Sequence, residues 1–316
     1  MAENKTVAIV TPVFNEEENL NILYERARAV FEQRPEDLHF IFVDDGSTDG
    51  GFQKLVELRK RDPAIRVVRL SRNFGHQAAV TAGLHHSCED AVVIMDADLQ
   101  DPPEVIPELL AEWERGAQVV YGVRNSRSGE GFFKRAFASV FYRVFHRLCD
   151  IDMPLDAGDF RLLDRKVVQA LSKMGEQHRY LRGMTSWVGF QQSSVKYSRD
   201  PRNAGETKYP FWKSLKLAWD GVTSFSARPL QWVTGLGLAI ALVSAVFAAR
   251  IIYIKMFDPA SMVSGWASLS VLILFLGGVQ LASIGILGQY VCRIFEESKK
   301  RPNYIVAESL GWIEEP

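Results

Sequence analysis

Several features that would assign this sequence to a common protein class are scarce or missing. The three cysteines, Cys88, Cys149 and Cys292, are scattered and match neither a disulfide framework nor the spacing of a zinc site. Lysine and arginine total 37 against 38 acidic residues, so the charge gives no support for a nucleic-acid binder. No internal repeat or low-complexity segment is present.

Three widespread catalytic motifs are also missing. There is no Gly-x-x-x-x-Gly-Lys-Ser/Thr phosphate loop and no Gly-x-Gly-x-x-Gly after the first predicted strand. The Gly-x-Ser-x-Gly nucleophile elbow is absent as well. ATP hydrolysis, dinucleotide redox chemistry and serine hydrolysis therefore lose support.

The clearest chemical signal is the segment Val92-Val-Ile-Met-Asp-Ala-Asp-Leu-Gln100. Its apolar half predicts a strand buried on both faces. Asp96 and Asp98 follow the strand, where ligands bind in open α/β sheets, and paired oxygen ligands suit Mg²⁺ or Mn²⁺ held jointly with substrate phosphates. The alternative is an Asp-rich turn with Asp101 as a helix N-cap and Glu104 in the first turn.

The first 121 residues alternate predicted strands and helices, which favours a doubly wound, mostly parallel sheet. A capping box of Asn15 and Glu18 is expected at the first helix. Right-handed crossovers place the loops after the first four strands on one edge of the sheet. This edge would carry Pro12, Asp44, Asn73 and Asp96.

The second half has the character of a membrane protein. Residues 124–147 and 209–219 interleave aromatic and cationic residues, which is typical of interfacial amphipathic helices. Residues 229–249 and about 268–292 are uncharged and long enough to cross a bilayer. The cationic residues flanking this hairpin predict a multi-pass inner (plasma) membrane protein whose catalytic domain and two termini are cytoplasmic.

Five motifs together resemble family 2 glycosyltransferases, and in particular the polyprenyl-phosphate glycosyltransferases, which include bactoprenol glucosyltransferases and relatives of dolichol-phosphate mannose synthase. The similarity covers nearly the whole chain. The motifs are Pro12-Val-Phe-Asn-Glu16, Val43-Asp-Asp-Gly-Ser47, Arg72-Asn-Phe-Gly75, Asp96-Ala-Asp-Leu-Gln-Asp-Pro-Pro103 and Gly158-Asp-Phe-Arg-Leu162.

The resemblance implies a GT-A fold, a UDP-sugar donor, Mg²⁺ or Mn²⁺, and inversion at the anomeric carbon. The nucleotide would contact Pro12, Phe14, Glu16, Asp44, Asp45 and Asn73, and the metal would be held by Asp96, Asp98 and Gln100. The acceptor phosphate would meet Arg124, Arg135 and Ser139, and the donor diphosphate would meet Arg199, Arg202 and Lys208. Asp159 is the expected base or acceptor-orienting group, with Asp156 as its rival and a helix cap or an Arg161 ion pair as its structural alternatives.

Four regions are expected. They are a nucleotide-sugar-binding core (1–123), an acceptor-side region with interfacial helices and a donor-clamping loop (124–228), a transmembrane hairpin (229–292, with spans at about 229–252 and 268–292) and a cytoplasmic tail (293–316).

The predicted reaction is transfer of one hexose to undecaprenyl phosphate, and the resemblance makes glucose the leading candidate for that hexose. Expected partners are the lipid bilayer, a separate flippase, a downstream glycosyltransferase and further copies of the chain. Three alternatives stay open at this point: a processive polysaccharide synthase, a metal-dependent phosphohydrolase and a non-catalytic nucleotide-binding membrane scaffold. Gln177-His-Arg-Tyr180 does not fit the Gln-x-x-Arg-Trp motif of processive synthases.

Overall fold

The computed structural model describes residues 4–32, 34–124, 157–199, 228–257 and 265–312. The described residues fall into two compact units. One unit holds the sheet and consists of residues up to 199 together with 301–312, and the other holds two long helices within 228–300.

The sheet unit is built on eight strands in the spatial order β7-β5-β6-β4-β1-β2-β3-β8. Strands β6 and β8 run antiparallel to their neighbours, and the remaining pairs are parallel. This mixed α/β sheet confirms the predicted fold class. The strands are β1 (Thr6–Val13), β2 (Asp37–Asp44), β3 (Ile65–Leu70), β4 (Ala91–Ile94), β5 (Val119–Arg124), β6 (Ala157–Asp164), β7 (Gln192–Tyr197) and β8 (Val306–Leu310).

Six helices belong to the sheet unit within the described residues, and a short 3-10 turn (Pro103–Val105) precedes the fourth. Their apolar residues recur at helical spacing, as in the first helix, where Leu20, Leu23 and Ala27 are buried. The helices are α1 (Glu17–Phe31), α2 (Gly51–Arg61), α3 (His76–His85), α4 (Ile106–Glu114), α5 (Arg165–Lys173) and α6 (Leu181–Trp187).

Two predicted helix caps are wrong. Asn15 has a positive φ of 57°, and its side chain accepts a hydrogen bond from the Thr48 backbone N–H (2.8 Å) instead of capping α1. Asp101 does not cap the turn at Pro103–Val105, where Pro102 is the N-cap residue and no side chain caps the turn. In both cases a partner distant in sequence uses the side chain that local spacing assigned to a cap.

Helix α3 packs closely against the centre of the sheet because Gly83 has no side chain. A Cβ atom at Gly83 would lie 2.3 Å from Val10 Cγ1 and 3.2 Å from Val43 Cγ2. Val10 belongs to β1 and Val43 to β2, so this glycine sets how near the helix lies to the two central strands.

The second unit consists of α7 (Arg228–Phe257) and α8 (Trp266–Ser298). Each contains a stretch long and apolar enough to cross a membrane, at Leu230–Phe247 and Phe275–Ser298, with mean hydropathies of 1.9 and 1.4. Many of their large apolar side chains are exposed, including Leu238 and Leu281. Exposed apolar surface of this extent is typical of helices surrounded by lipid.

Candidate active site at the carboxyl edge of the sheet

The parallel strands β1, β2, β3 and β4 end at one edge of the sheet, and the strand ends with their following loops carry the predicted nucleotide and metal residues. In the register of the sheet, Val13 lies beside Asp44, and Val10 lies beside Ile94. Strand β4 is buried along its whole length, as predicted from its apolar sequence. The loops after these strands therefore come together where ligands bind in open α/β sheets.

The predicted nucleotide residues form a connected set of loops at this edge. Asp45 is buried and accepts hydrogen bonds from the backbone N–H groups of Phe74 (2.7 Å) and Gly75 (2.9 Å). Gly75 has a φ of 99°, which favours glycine and lets the loop present its N–H group to this carboxylate. Burial raises the pKa of Asp45 despite these two hydrogen bonds.

The neighbouring Asp44 also supports the loops. Its Oδ1 accepts a hydrogen bond from the Ser47 N–H (3.0 Å), and its Oδ2 lies 3.4 Å from Arg69 Nε. Asn73 is exposed on the loop after β3, and Phe14 is 44% exposed after β1. Pro12 is the second-last residue of β1, and Glu16 accepts a hydrogen bond from Asn19 Nδ2 (2.6 Å).

Asp96 and Asp98 lie just beyond β4 and supply carboxylate oxygens of the kind that bind divalent cations. Among the described residues, no group of three or more histidine, cysteine or acidic side chains is arranged to hold a metal. Asp96 Oδ1 is nevertheless buried without a hydrogen-bond partner in the described part of the chain. One or two carboxylates completed by substrate phosphates is the usual way in which Mg²⁺ is held at nucleotide sites. The residues therefore fit a divalent cation.

Burial raises the pKa of Asp96 to about 6, although His76 acts in the opposite direction. Asp98 is nearly buried, and its Oδ1 accepts a hydrogen bond from the backbone N–H of Gln100 (3.1 Å). The tight turn that places Gln100 beside Asp98 includes Leu99 at a φ of 59°. All three predicted metal residues thus lie in one turn.

Asp159, on β6, is contacted by basic side chains from α6 and α3. Arg182 Nε and Nη2 each donate a hydrogen bond of 2.8 Å to a different carboxylate oxygen. His76 Nε2 lies 3.6 Å from Asp159 Oδ2, and His76 Nδ1 lies 3.7 Å from Asp96 Oδ1. His76 thereby links Asp159 with the carboxylate pair.

The expected alternative partner of Asp159, Arg161, is only at the limit of an ion pair (4.0 Å). Arg161 is fully buried and donates instead to the Gly158 carbonyl (2.7 Å) and to Thr185 Oγ1 (2.7 Å). Burial alone would raise the pKa of Asp159, but Arg182, Arg161 and His76 together bring that pKa well below its ordinary value. An ionised carboxylate with both oxygens bonded is a weak base and a good orienting group.

Arg124, predicted for the acceptor phosphate, lies beside Tyr197, and Arg199, predicted for the donor diphosphate, lies beside Asp101. Arg124 pairs with Tyr197 in the register between β5 and β7; burial and Asp101 raise the pKa of Tyr197, and the nearby Arg124 guanidinium opposes that rise. Arg199 Nε lies 3.3 Å from Oδ1 of the buried Asp101. Both arginines thus lie next to the hydrogen-bonded pair of Tyr197 and Asp101, although sequence reasoning assigned them to different phosphates.

Five predicted site residues lie outside the described residues, and their roles stay predictions. They are Arg135, Ser139, Asp156, Arg202 and Lys208.

Sequence reasoning missed the site residues Arg182, His76, Tyr197 and Thr185. His76 directly follows the Arg72-Asn-Phe-Gly75 motif, so its position after β3 was a usable signal. Arg182 and Tyr197 belong to no motif that sequence reasoning singled out. Arg182 lies on α6 and Tyr197 on β7, and the long-range packing of these elements brings the two side chains to the site.

Comparison with known proteins assigns the chain to a known enzyme family. Residues 8–172 match the sequence model of the family described as "Glycosyl transferase family 2". This chain belongs to glycosyltransferase family 2. The chain is therefore an enzyme of group transfer, as the motifs predicted.

Curated relatives extend the similarity beyond the sheet. An uncharacterized glycosyltransferase of Bacillus subtilis strain 168, YkcC, is 44% identical over 98% of this chain and 96% of its own length. A bactoprenol glucosyl transferase of Shigella phage SfV is 42% identical over 95% of this chain and 97% of its own length. These matches include the region of the two apolar helices, which is consistent with a membrane-associated glycosyltransferase.

Among solved structures, glucosyl-3-phosphoglycerate synthase of Mycobacterium tuberculosis aligns with a TM-score of 0.48 and 18% identity, over 71% of this chain and 81% of that one.

Proposed function

We propose that this family 2 glycosyltransferase transfers a single hexose from a UDP-sugar to a polyprenyl phosphate such as undecaprenyl phosphate. Glucose is the leading candidate for the sugar. The observation that carries the proposal is the 42% identity to a bactoprenol glucosyl transferase over 95% of this chain. Because the similarity includes the apolar helices, it favours a lipid acceptor over a soluble one.

The proposed reaction is a single displacement. An anionic oxygen of the acceptor phosphate attacks the anomeric carbon, the bond from that carbon to the donor diphosphate breaks, and UDP leaves with the bonding electrons. Attack on the face opposite the leaving group inverts the anomeric configuration. A phosphate oxygen is already charged at neutral pH and needs orientation more than deprotonation, which suits the ionised Asp159.

The donor diphosphate would bind beside Asp96, Asp98 and Gln100. Mg²⁺ or Mn²⁺ held there would neutralise the charge that develops on the departing diphosphate. The support from this chain is the buried Asp96 Oδ1, which has no hydrogen-bond partner among the described residues, and the proximity of Asp98 in the same turn.

The proposed topology follows from the charges around the apolar helices. Arg228 is the first residue of α7 and precedes its apolar stretch, Arg293 lies near the end of α8, and Lys299 and Lys300 follow α8. Under the positive-inside rule both ends of the hairpin face the cytoplasm, where UDP-sugars are made. The lipid product would then need a separate flippase to reach the other leaflet, where a downstream glycosyltransferase would use it.

The first test is transfer of radiolabel from UDP-glucose to undecaprenyl phosphate by the purified full chain in detergent with Mn²⁺. We expect label in the organic phase, one sugar per lipid, and loss of that signal with chelator. Asp98→Asn should abolish transfer, while Asp37→Asn, at an exposed position on β2, should not change it.

The other outcomes discriminate among the alternatives. Label from a different nucleotide sugar would correct only the donor. Formation of a polymeric product would favour a processive synthase, and release of free sugar without a lipid product would favour a hydrolase. No turnover with any donor would favour a non-catalytic scaffold.

A further inference from the structure

Asp101 is a buried acid that the proposed reaction does not use directly. It follows Gln100 in the sequence and is 1% exposed. Its Oδ1 accepts a hydrogen bond from the Tyr197 hydroxyl (2.5 Å) and lies 3.3 Å from Arg199 Nε. An acid this deeply buried is expected to have a charged or hydrogen-bonding partner, and here it has both.

Tyr197 connects Asp101 to the second arginine. Its hydroxyl donates to Asp101, and Arg124, its partner in the register between β5 and β7, lies close enough for its guanidinium to act on the Tyr197 hydroxyl. Burial and the adjacent Asp101 raise the pKa of Tyr197 well above its ordinary value, so the hydroxyl keeps its proton and remains a donor. One phenol thus joins one carboxylate to one guanidinium.

The ring of Tyr197 is fixed by packing. It lies against Phe160 with ring centroids 5.5 Å apart, and a Cβ atom at Gly122 would approach the Tyr197 ring to 2.8 Å. Tyr197 itself is 3% exposed. The hydroxyl therefore has one available position, next to Asp101.

Both arginines retain unused donor capacity. Within the described part of the chain, the Nε atoms of Arg124 and Arg199 are buried and have no hydrogen-bond partner. The contact of Arg199 Nε with Asp101 is an ion pair and not a hydrogen bond by geometry. Buried guanidinium N–H groups that remain unsatisfied are matched by phosphate oxygens, which accept several such bonds.

We propose that Tyr197 and Asp101 are positioning residues that hold Arg124 and Arg199 together at one anionic group, the phosphate chemistry shared by donor and acceptor. This inference rests on the proposed function for the identity of that anion. Asp101 supplies the negative charge that keeps two cations close before the phosphate arrives, and Tyr197 fixes the distance between them.

The test compares two Tyr→Phe changes of the same kind. Tyr197→Phe keeps the packed ring and removes only the hydroxyl. Tyr24→Phe is the matched control. The Tyr24 hydroxyl also donates to a carboxylate, Asp62 Oδ2 (3.0 Å), but Tyr24 lies on α1 and is not one of the site residues. Asp101→Asn is the second variant, since it keeps a hydrogen-bond acceptor and removes the charge.

Binding of pyrophosphate and of UDP in the presence of Mg²⁺ is measured by calorimetry on the full chain in detergent, together with kcat and KM for transfer. For Tyr197→Phe we expect about tenfold weaker pyrophosphate binding and a kcat lower by about 10- to 100-fold, because the arginines are displaced from the phosphate. Asp101→Asn should weaken binding in the same direction, and the thermal unfolding midpoint should change no more than in Tyr24→Phe.

Each result bears on the inference separately from the reaction. Wild-type pyrophosphate affinity and kcat in Tyr197→Phe would overturn the inference, and so would unfolding of both site variants, which would make the cluster a folding element. A wild-type protein that transfers no sugar would overturn the proposed function, while weakened pyrophosphate binding in Tyr197→Phe would still support the inference.

Discussion

Arg182 donates two parallel hydrogen bonds to Asp159, one to each carboxylate oxygen and both of 2.8 Å. This fork joins α6 to β6 beside the predicted metal turn. A bidentate pair fixes the plane of the carboxylate as well as its charge. The relationship gives Asp159 a defined orientation that no sequence motif indicated.

The first prediction concerns that fork. Arg182→Lys keeps the charge but cannot make two parallel hydrogen bonds, and Arg182→Met removes both. We expect kcat for sugar transfer to fall by about tenfold in Arg182→Lys and by about 100-fold in Arg182→Met, because Asp159 loses its orientation. Steady-state kinetics check this, with Arg165→Met at an exposed position on α5 as the control. Unchanged kcat in Arg182→Met would show that the fork is not needed.

The second prediction concerns the pH dependence of metal binding. Because burial raises the pKa of Asp96 to about 6, the carboxyl is protonated below that pH and ionised above it. A cation must displace the proton at low pH, so Mn²⁺ affinity should be about tenfold weaker at pH 5 than at pH 7. Calorimetry on the full chain measures this without turnover. Equal affinity at the two pH values would contradict the role of Asp96 as a ligand.

The third prediction concerns stability. Glu89 is buried and bonded by His39 Nδ1 (2.8 Å) and Arg66 Nη1 (2.7 Å). Burial alone would raise its pKa, but hydrogen bonds from His39 and the Cys88 N–H and the charge of Arg66 lower it to about 2. Because the folded-state pKa lies below the ordinary value, the stabilisation is present above about pH 4.5 and is lost as pH falls towards 2.

Glu89→Gln should therefore lower the free energy of unfolding by about 2–4 kcal/mol at pH 7, because it leaves Arg66 without its buried counter-charge. Chemical denaturation of the full chain in detergent measures the loss. Glu57→Gln, at an exposed position on α2, should stay within about 0.5 kcal/mol of wild type. A loss at Glu89 no larger than that of the control would show that the cluster contributes little.

The fourth prediction concerns the packing of α3. In a helix interior alanine is more stable than glycine by about 1 kcal/mol. A Cβ atom at Gly83, however, would lie 2.3 Å from Val10 Cγ1. The steric clash should win, and Gly83→Ala should destabilise the protein by about 1–2 kcal/mol. Thermal unfolding checks the sign. Gly175→Ala is the matched control, since Gly175 is exposed and a Cβ atom there meets nothing within 4 Å.

The sequence predicted the parts of this protein that depend on local patterns. The apolar run of β4 and the carboxylates after it were expected where they lie, because strand burial and sheet-edge position follow from composition and chain order. The mixed strand order was not predicted, since β6 and β8 join the sheet through long-range pairing. Local spacing likewise assigned Asn15 and Asp101 to helix caps, whereas Thr48 and Tyr197, both distant in sequence, determine what these side chains do.

Strand β8 pairs with β3 although the two apolar helices lie between them in the chain. During synthesis the ribosome makes β8 only after both helices have emerged. Until then the outer edge of β3 has no strand to pair with, and an unpaired edge is a template for association with other chains. The sheet is therefore completed only after the two apolar helices have been synthesised. A nascent chain that stalls before β8 is made would expose the unpaired edge of β3 to other chains.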